Sequence, residues 1–432
     1  MARKMKDSGI EWIGEIPEGW EIKYFVQLFS QVKNKNIGLR EKNLLSLSYG
    51  KIKQKSIETV GGLLPDNFEG YNIIDRNDIV LRLTDLQNDQ HSLRVGLSPE
   101  RGIITSAYCS IRVRGAESPN YLYYYLHTFD IAKGFYGMGS GVRQGLNWDG
   151  LKYIKILLPP QHEQDRISVF LNQKTLEIDS ILSKTISSIE EYKKLKQAVI
   201  TQAVTKGVRG EREMKPTDFT RWSEIPFDWN LKRVKSCIAS ISSGLSAVTD
   251  DANSEESGKF VLRTSAVSSG FFVPTEVKPV LKSAVNRLIC PVEPDTLIVS
   301  RMNTASMVGA CAYVANNHPN TFLPDKLWKI KFLPSYHTKY MWYALNSVPA
   351  KSWFSELATG ASSSMQNISI NDFTSNYLPI PAFSEQKEIA NYLDAKCAEI
   401  DKLIAKKEQL VKELEGYKKS LIYEVVTGKR EV

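Results

Sequence analysis

The sequence predicts an α+β protein: two pseudo-symmetric mixed α/β domains separated by two long helices that form an antiparallel coiled coil. Three observations carry that prediction. At 432 residues the chain is too long for one ordinary hydrophobic core. Its second half repeats segments of its first half in the same order. Each copy closes with a long proline-free stretch whose apolar residues recur at spacings of three and four.

The repeat opens at Glu15-Ile16-Pro17-Glu18-Gly19-Trp20, which returns as Glu224-Ile225-Pro226-Phe227-Asp228-Trp229, a shift of 224 − 15 = 209. Trp12 and Trp222 lie just upstream of the two copies. Further along, Pro159, Glu163, Gln164, Ile167 and Leu171 return as Pro381, Glu385, Gln386, Ile389 and Leu393, a shift of 385 − 163 = 222. That shift holds without a gap to Ile200, Val204 and Thr205 against Ile422, Val426 and Thr427. The first helix runs out into Thr205-Lys206-Gly207 and a polar stretch. The second runs out into Thr427-Gly428, and residues 1–9 supply the matching polar lead-in before Trp12. A duplication of this form predicts a pseudo-two-fold arrangement in which the chain ends meet on one side.

The expected boundaries are 1–158 for the first domain, 159–208 for the central helix, 209–380 for the second domain and 381–432 for the last helix. Inside the domains, short β-branched runs at 78–82, 110–113 and 296–301 read as strands. Residues 120–126 and 339–345 read as matched helices rich in tyrosine and tryptophan, and their aromatic rings are expected in the domain core rather than as a base-stacking platform. The long helices start after Pro159-Pro160 and Pro381, where proline suits the helix start. Their seams are Ile178, Leu182, Ile189, Tyr192 and Val199, then Ile400, Ile404, Val411, Leu414 and Leu421. Polar Thr185, Lys196, Lys407 and Lys418 interrupt them.

Composition bounds the function. Hydrophobic residues make up 42% and charged residues 24%, which excludes bulk disorder. A net charge of +8 fits a polyanionic partner without demanding one. The five scattered cysteines have no CxxC spacing, so neither a zinc site nor a disulfide framework is expected. No apolar signal core follows the first residues and no run of about 18 apolar residues occurs, so a cytoplasmic protein is expected. There is no P-loop, GxGxxG, HExxH or GxSxG motif, no Asn-Pro-Pro-Tyr or Asp-Pro-Pro-Tyr tetrapeptide and no Asp…Glu-x-Lys nuclease core. The five histidines form no ligand pattern, and His162 reads as a surface or cap residue. No catalytic, cofactor-binding or metal-binding residue is expected.

The sequence resembles the specificity subunits of type I restriction-modification systems, which serve prokaryotic defence against foreign DNA. The resemblance is carried by the Trp-x-Gly-x-Ile-Pro-x-x-Trp pattern at Trp12 to Trp20, by Leu158-Pro159-Pro160 to Gln164 with its echo at Ile380-Pro381 to Gln386, and by the long helices ending in Val204-Thr205 and Val426-Thr427. It covers essentially the whole chain. The second copy, Arg221-Trp222-Ser223-Glu224, lacks the glycine after the tryptophan, which bears on local turn detail only.

The resemblance implies two target-recognition domains, each reading half of a bipartite, asymmetric site in double-stranded DNA, with the helices as spacer. It implies docking of two methyltransferase (modification) subunits that bring S-adenosylmethionine and methylate adenine. It also implies two restriction/translocase subunits that bring ATP and Mg. The chain itself would bind no cofactor. Two other readings stand beside it: a stand-alone DNA-modifying enzyme with a degenerate site, and a coiled-coil scaffold.

Base reading requires Arg, Lys, Asn, Gln or Ser on the DNA face, with Lys and Arg on phosphates setting register. Positions matched between the copies are the best candidates: Arg82 and Arg301 after equivalent strands, and Arg143 and Gln144 against Ser363, Gln366 and Asn367 in glycine- and serine-rich loops. Asn303 and Lys326 join them in the second domain. Tyr49, Lys51 and Arg263 lie in the early part of each domain, which differs most between the copies.

Overall fold

The fold is taken from a computed structural model. It describes all residues except 1–2, 57–66, 88, 90–91, 140–144, 247–255 and 363–364, and not the side chains of 256 and 361–362. The chain forms two compact units. Unit 1 is Met1–Ile186 with Glu408–Val432, and unit 2 is Ser187–Lys407. Each unit therefore holds one head, the nearer half of one long helix and the opposite half of the other.

The helices span Gln161–Lys206 and Phe383–Val426, starting just after the prolines that mark them in sequence. In unit 1, Ile167, Leu171 and Ile178 from the start of the first helix share a core with Leu421, Ile422, Val425 and Val426 from the end of the second. In unit 2, Ile200, Ala203 and Val204 share a core with Ile389, Ala390, Leu393 and Cys397. Start packs with end in both units, so the helices run antiparallel. The apolar stripe is the cause: only that face is removed from water, while the charged outer faces stay exposed.

Two of the polar interruptions of the seam, Lys196 and Lys418, are ion-paired. In unit 1 Lys418 Nζ lies 2.6 Å from Asp179. In unit 2 Lys196 Nζ lies 2.6 Å from Asp401, which is the same pair moved by the 222-residue shift. Thr185 donates its hydroxyl to the Ile181 carbonyl at 2.8 Å. The Lys196 side chain is only 10% exposed and Asp401 is 50% exposed. Asp401→Asn should therefore destabilise unit 2 by about 1–2 kcal/mol, because it strands a buried ammonium, whereas Lys196→Met should be close to neutral. Urea unfolding of both variants checks this, and a larger loss in Lys196→Met would contradict it.

The heads share a topology. Unit 1 has an antiparallel four-stranded sheet in the order Phe29–Gln31, Cys109–Val113, Ile79–Leu81, Val95–Leu97. Unit 2 repeats it as Ile238–Ser243, Leu327–Phe332, Thr296–Ser300, Cys311–Val314. In both, the strand latest in sequence lies second in the sheet. A helix follows that strand, Pro119–Ile131 or Thr338–Leu345. Its tyrosines are core residues: Tyr121, Tyr125 and Tyr340 are fully buried. Tyr121 Oη donates to the Leu157 carbonyl at 3.1 Å, and Tyr340 Oη to the Pro379 carbonyl at 2.6 Å. Burial removes the rings from any stacking role and satisfies their hydroxyls.

The motif residues at the helix starts are bolts between head and helix. Glu163 accepts from Trp20 Nε1 at 3.0 Å and pairs with Arg3 at 2.6 Å, and Arg3 lies over the Trp20 ring. Glu385 receives Trp229 Nε1 at 3.2 Å and pairs with Arg212, which lies over Trp229. Burial raises the Glu163 carboxyl, but the hydrogen bonds from Arg3 and Trp20 and the Arg3 charge more than offset this and leave it below the usual carboxylate range. Gln164 and Gln386 each accept a backbone N–H from the head, Ser118 at 2.9 Å and His337 at 2.8 Å.

The chain ends meet within unit 1. Tyr423 Oη donates to the Trp12 carbonyl at 3.2 Å. Gly428 has φ +73°, and a Cβ there would stand 2.4 Å from the Pro17 ring.

Candidate nucleic-acid interface

The strongest grouping of candidate residues is in unit 2. Strand Thr296–Ser300 delivers Arg301 to its end, and the chain continues as the short strand Met302–Asn303. That strand pairs with Met365–Asn367, in register Met302↔Asn367 and Asn303↔Gln366. Met365–Asn367 in turn pairs with Thr359–Ser362. Arg301 Nε donates to Asn367 Oδ1 at 3.5 Å, and its backbone N–H donates to the Lys326 carbonyl at 3.2 Å. Asn303 Nδ2 donates to Ser268 Oγ at 2.8 Å, and Gln366 Nε2 donates to the Gly360 carbonyl at 3.5 Å.

The structure thus gathers Arg301, Asn303, Lys326, Gln366 and Asn367 on one edge. Lys326 is exposed and the other four are half-buried. Such an edge offers amide and guanidinium donors held by backbone pairing, the chemistry suited to the edges of bases. Arg263 lies outside this grouping. It is exposed and donates Nε to the Val277 carbonyl at 3.1 Å.

Unit 1 presents the corresponding strand end at Arg82 (301 − 82 = 219). Arg82 Nη1 lies 3.4 Å from Asp89. Behind it stands a residue that sequence reading missed. Arg94 is fully buried, and its guanidinium donates to Tyr136 Oη at 3.0 Å and to the carbonyls of Arg82 (3.1 Å), Thr84 (2.8 Å), Asp85 (3.2 Å) and Asp89. Five N–H donors meet five acceptors, which satisfies the group completely. Arg94 therefore fixes the backbone that carries Arg82. Unit 2 has Gly309-Ala310 before its equivalent strand, and there Met302–Asn303 pairs with Met365–Asn367 beside Arg301. Nothing in the sequence sets Arg94 apart from a surface arginine, because its acceptors are carbonyls reached only through tertiary packing.

Lys51 is engaged by the long helix, with Nζ 2.8 Å from Asp179. Tyr49, its neighbour, is 77% exposed. Arg143, Gln144 and Ser363 lie outside the described residues. His162 is exposed. Among the described residues no group of three or more His, Cys, Asp or Glu could hold a metal ion, and no helix is long and apolar enough to cross a membrane.

The chain thus holds two units of the same sheet-and-helix topology, each ending an equivalent strand in an arginine. Comparisons place it more closely. Residues 226–413 match the family model for the type I restriction modification DNA specificity domain. A putative type I restriction enzyme MjaX specificity subunit from Methanocaldococcus jannaschii is 24% identical, covering 96% of this chain and 95% of that one. The MjaVIII specificity subunit of the same organism is 23% identical, with 96% and 93% covered. In fold, the chain is similar to one from a structural study of complex assembly and conformational transition of the type I R-M system. That similarity has a TM-score of 0.68 and 15% identity, and covers 96% and 99% of the two chains. Over nearly its whole length, then, the chain is similar to type I restriction enzyme specificity subunits.

Proposed function

We propose that this chain is the DNA-specificity subunit of a type I restriction-modification complex, and that each unit reads one half of a bipartite, asymmetric duplex site. The observation that carries this reading is the arginine at the end of the same strand in two sheets of identical order, Arg82 and Arg301, within surroundings of different sequence. Equivalent frames with different side chains suit two half-sites of different sequence. The chain acts without catalysis of its own. Two methyltransferase subunits supply S-adenosylmethionine chemistry on adenine, and two restriction/translocase subunits supply ATP- and Mg-dependent cleavage. The complex works in a prokaryotic cytoplasm. On this reading Arg82, Arg301, Asn303, Lys326, Gln366 and Asn367 face DNA, and Arg143, Gln144, Arg263 and Ser363 are further candidates.

Expression with the cognate modification subunit, followed by single-molecule sequencing of host DNA, should reveal adenine methylation at one bipartite motif. Arg301→Ala should relax or abolish the requirement at one half of that motif only, at about 1–3 kcal/mol of discrimination. Host DNA without a bipartite adenine mark when both proteins are present would overturn the reading.

A further inference from the structure

We propose that Tyr49 is a specificity-determining residue of unit 1, its ring packing against the duplex of the half-site that this unit reads. The inference rests on the DNA-reading function above.

Strands Leu45–Ser48 and Lys51–Gln54 pair in register Ser48↔Lys51, which leaves a two-residue turn of Tyr49 and Gly50. Both have positive φ, 47° and 75°. This is the turn geometry for which Asn-Gly is the favoured sequence. The left-handed region brings Cβ close to the following carbonyl oxygen, so a tyrosine there is disfavoured relative to asparagine or glycine. Burial does not compensate, because the residue is 77% exposed. A strained, exposed aromatic on an ordered turn has no folding role that asparagine would not serve better. Strain of this kind concentrates where a ligand is met.

Everything around the ring is held. Gly50 is buried, and a Cβ there would stand 3.0 Å from Leu93 Cβ. Lys51 is tied to Asp179. Leu47 and Ile52 lie in a buried cluster. The tip thus rests on Leu93, one residue from the Arg94 that locks the Arg82 backbone. Arg82 N–H itself donates to the Arg94 carbonyl at 2.9 Å. Gly50 and the Arg82 backbone thus contact the adjacent residues Leu93 and Arg94, and at this place Tyr49 presents an exposed apolar face. A neutral ring suits a thymine methyl, a sugar or an opened base step rather than a phosphate.

The test uses the full chain with its modification subunits, reading protection of each half-site of the bipartite duplex separately alongside thermal unfolding. Tyr49→Asn relieves the turn and should raise the unfolding temperature. It should also weaken protection at one half-site by about five- to a hundredfold, as loss of an aromatic contact does, with the other half-site at the wild-type level. Tyr49→Phe should recover most of that protection, since the ring is retained. A Tyr49→Asn protein that unfolds later yet protects both half-sites like the wild type would overturn the inference. If the wild-type complex protects no bipartite site, the functional reading itself fails and this inference falls with it.

Discussion

Glu385→Ala should be the most damaging single substitution among the residues that join head to helix, costing unit 2 about 3 kcal/mol. The side chain is 1% exposed and serves Arg212, Trp229 Nε1 and, at 3.8 Å, Arg209. Removing one partner of a buried pair leaves the other charge uncompensated, which costs about 3–5 kcal/mol. The low end applies because Arg212 keeps a second carboxylate, Asp228, at 2.6 Å. The Trp229 N–H would also be left unpaired.

The matching Glu163→Ala should cost less. Arg3 is 30% exposed and Glu163 14%, so water takes over part of the lost interaction. Denaturant unfolding followed by tryptophan fluorescence compares the two. Equal losses would show that burial does not set the strength of these pairs.

The second large effect is a hidden pH dependence in unit 1. His127 and Asp130 lie on the helix Pro119–Ile131, and both are buried. Burial, together with the charges of Lys418 and Lys419, pushes His127 down to about 4. Its folded value is below the unfolded one, so the stability it confers is full above the ordinary histidine range and is lost as pH falls toward 4. Burial pushes Asp130 up to about 6, against the Arg94 N–H it accepts at 2.7 Å. Its folded value is above the unfolded one, so its contribution is full at low pH and is lost as pH rises through 6. Each shift is worth about 3 kcal/mol.

The two windows overlap with opposite sign between about 4 and 6, and the wild type should be nearly flat there with respect to this pair. Asp130→Asn unmasks the histidine, so stability should fall by about 3 kcal/mol relative to wild type as pH drops from 6.5 to 4. His127→Gln should do the reverse, gaining relative stability on acidification. Unfolding midpoints at several pH values decide it, and three parallel curves would refute the balance.

The pairings above separate what was legible in sequence from what was not. The 209- and 222-residue shifts anticipate the whole plan: two heads, matched strands, matched aromatic helices, and helices that start at Gln161 and Phe383. Periodicity and proline are local signals, and a repeat doubles them. The motif residues Glu163 and Gln164 were visible as a pattern, but their work as bolts was not. A carboxylate that receives Trp20 across 143 positions leaves no trace at short range.

The strand edges that carry Arg82 and Arg301 divide the same way. Residue types able to meet DNA could be chosen from the sequence; of the second copy's choices, Arg301, Asn303, Lys326, Gln366 and Asn367 fall on one edge, while Arg263 lies apart. Lys51 is turned to Asp179 instead, and Arg94, which orders the first edge, was invisible. The sequence by itself determined the duplication, the helices and the residue classes, because these follow from spacing along the chain. Only the tertiary structure decided which cations are spent on carbonyls and carboxylates and which side chains remain for a partner. Burial and hydrogen-bond satisfaction depend on neighbours distant in sequence.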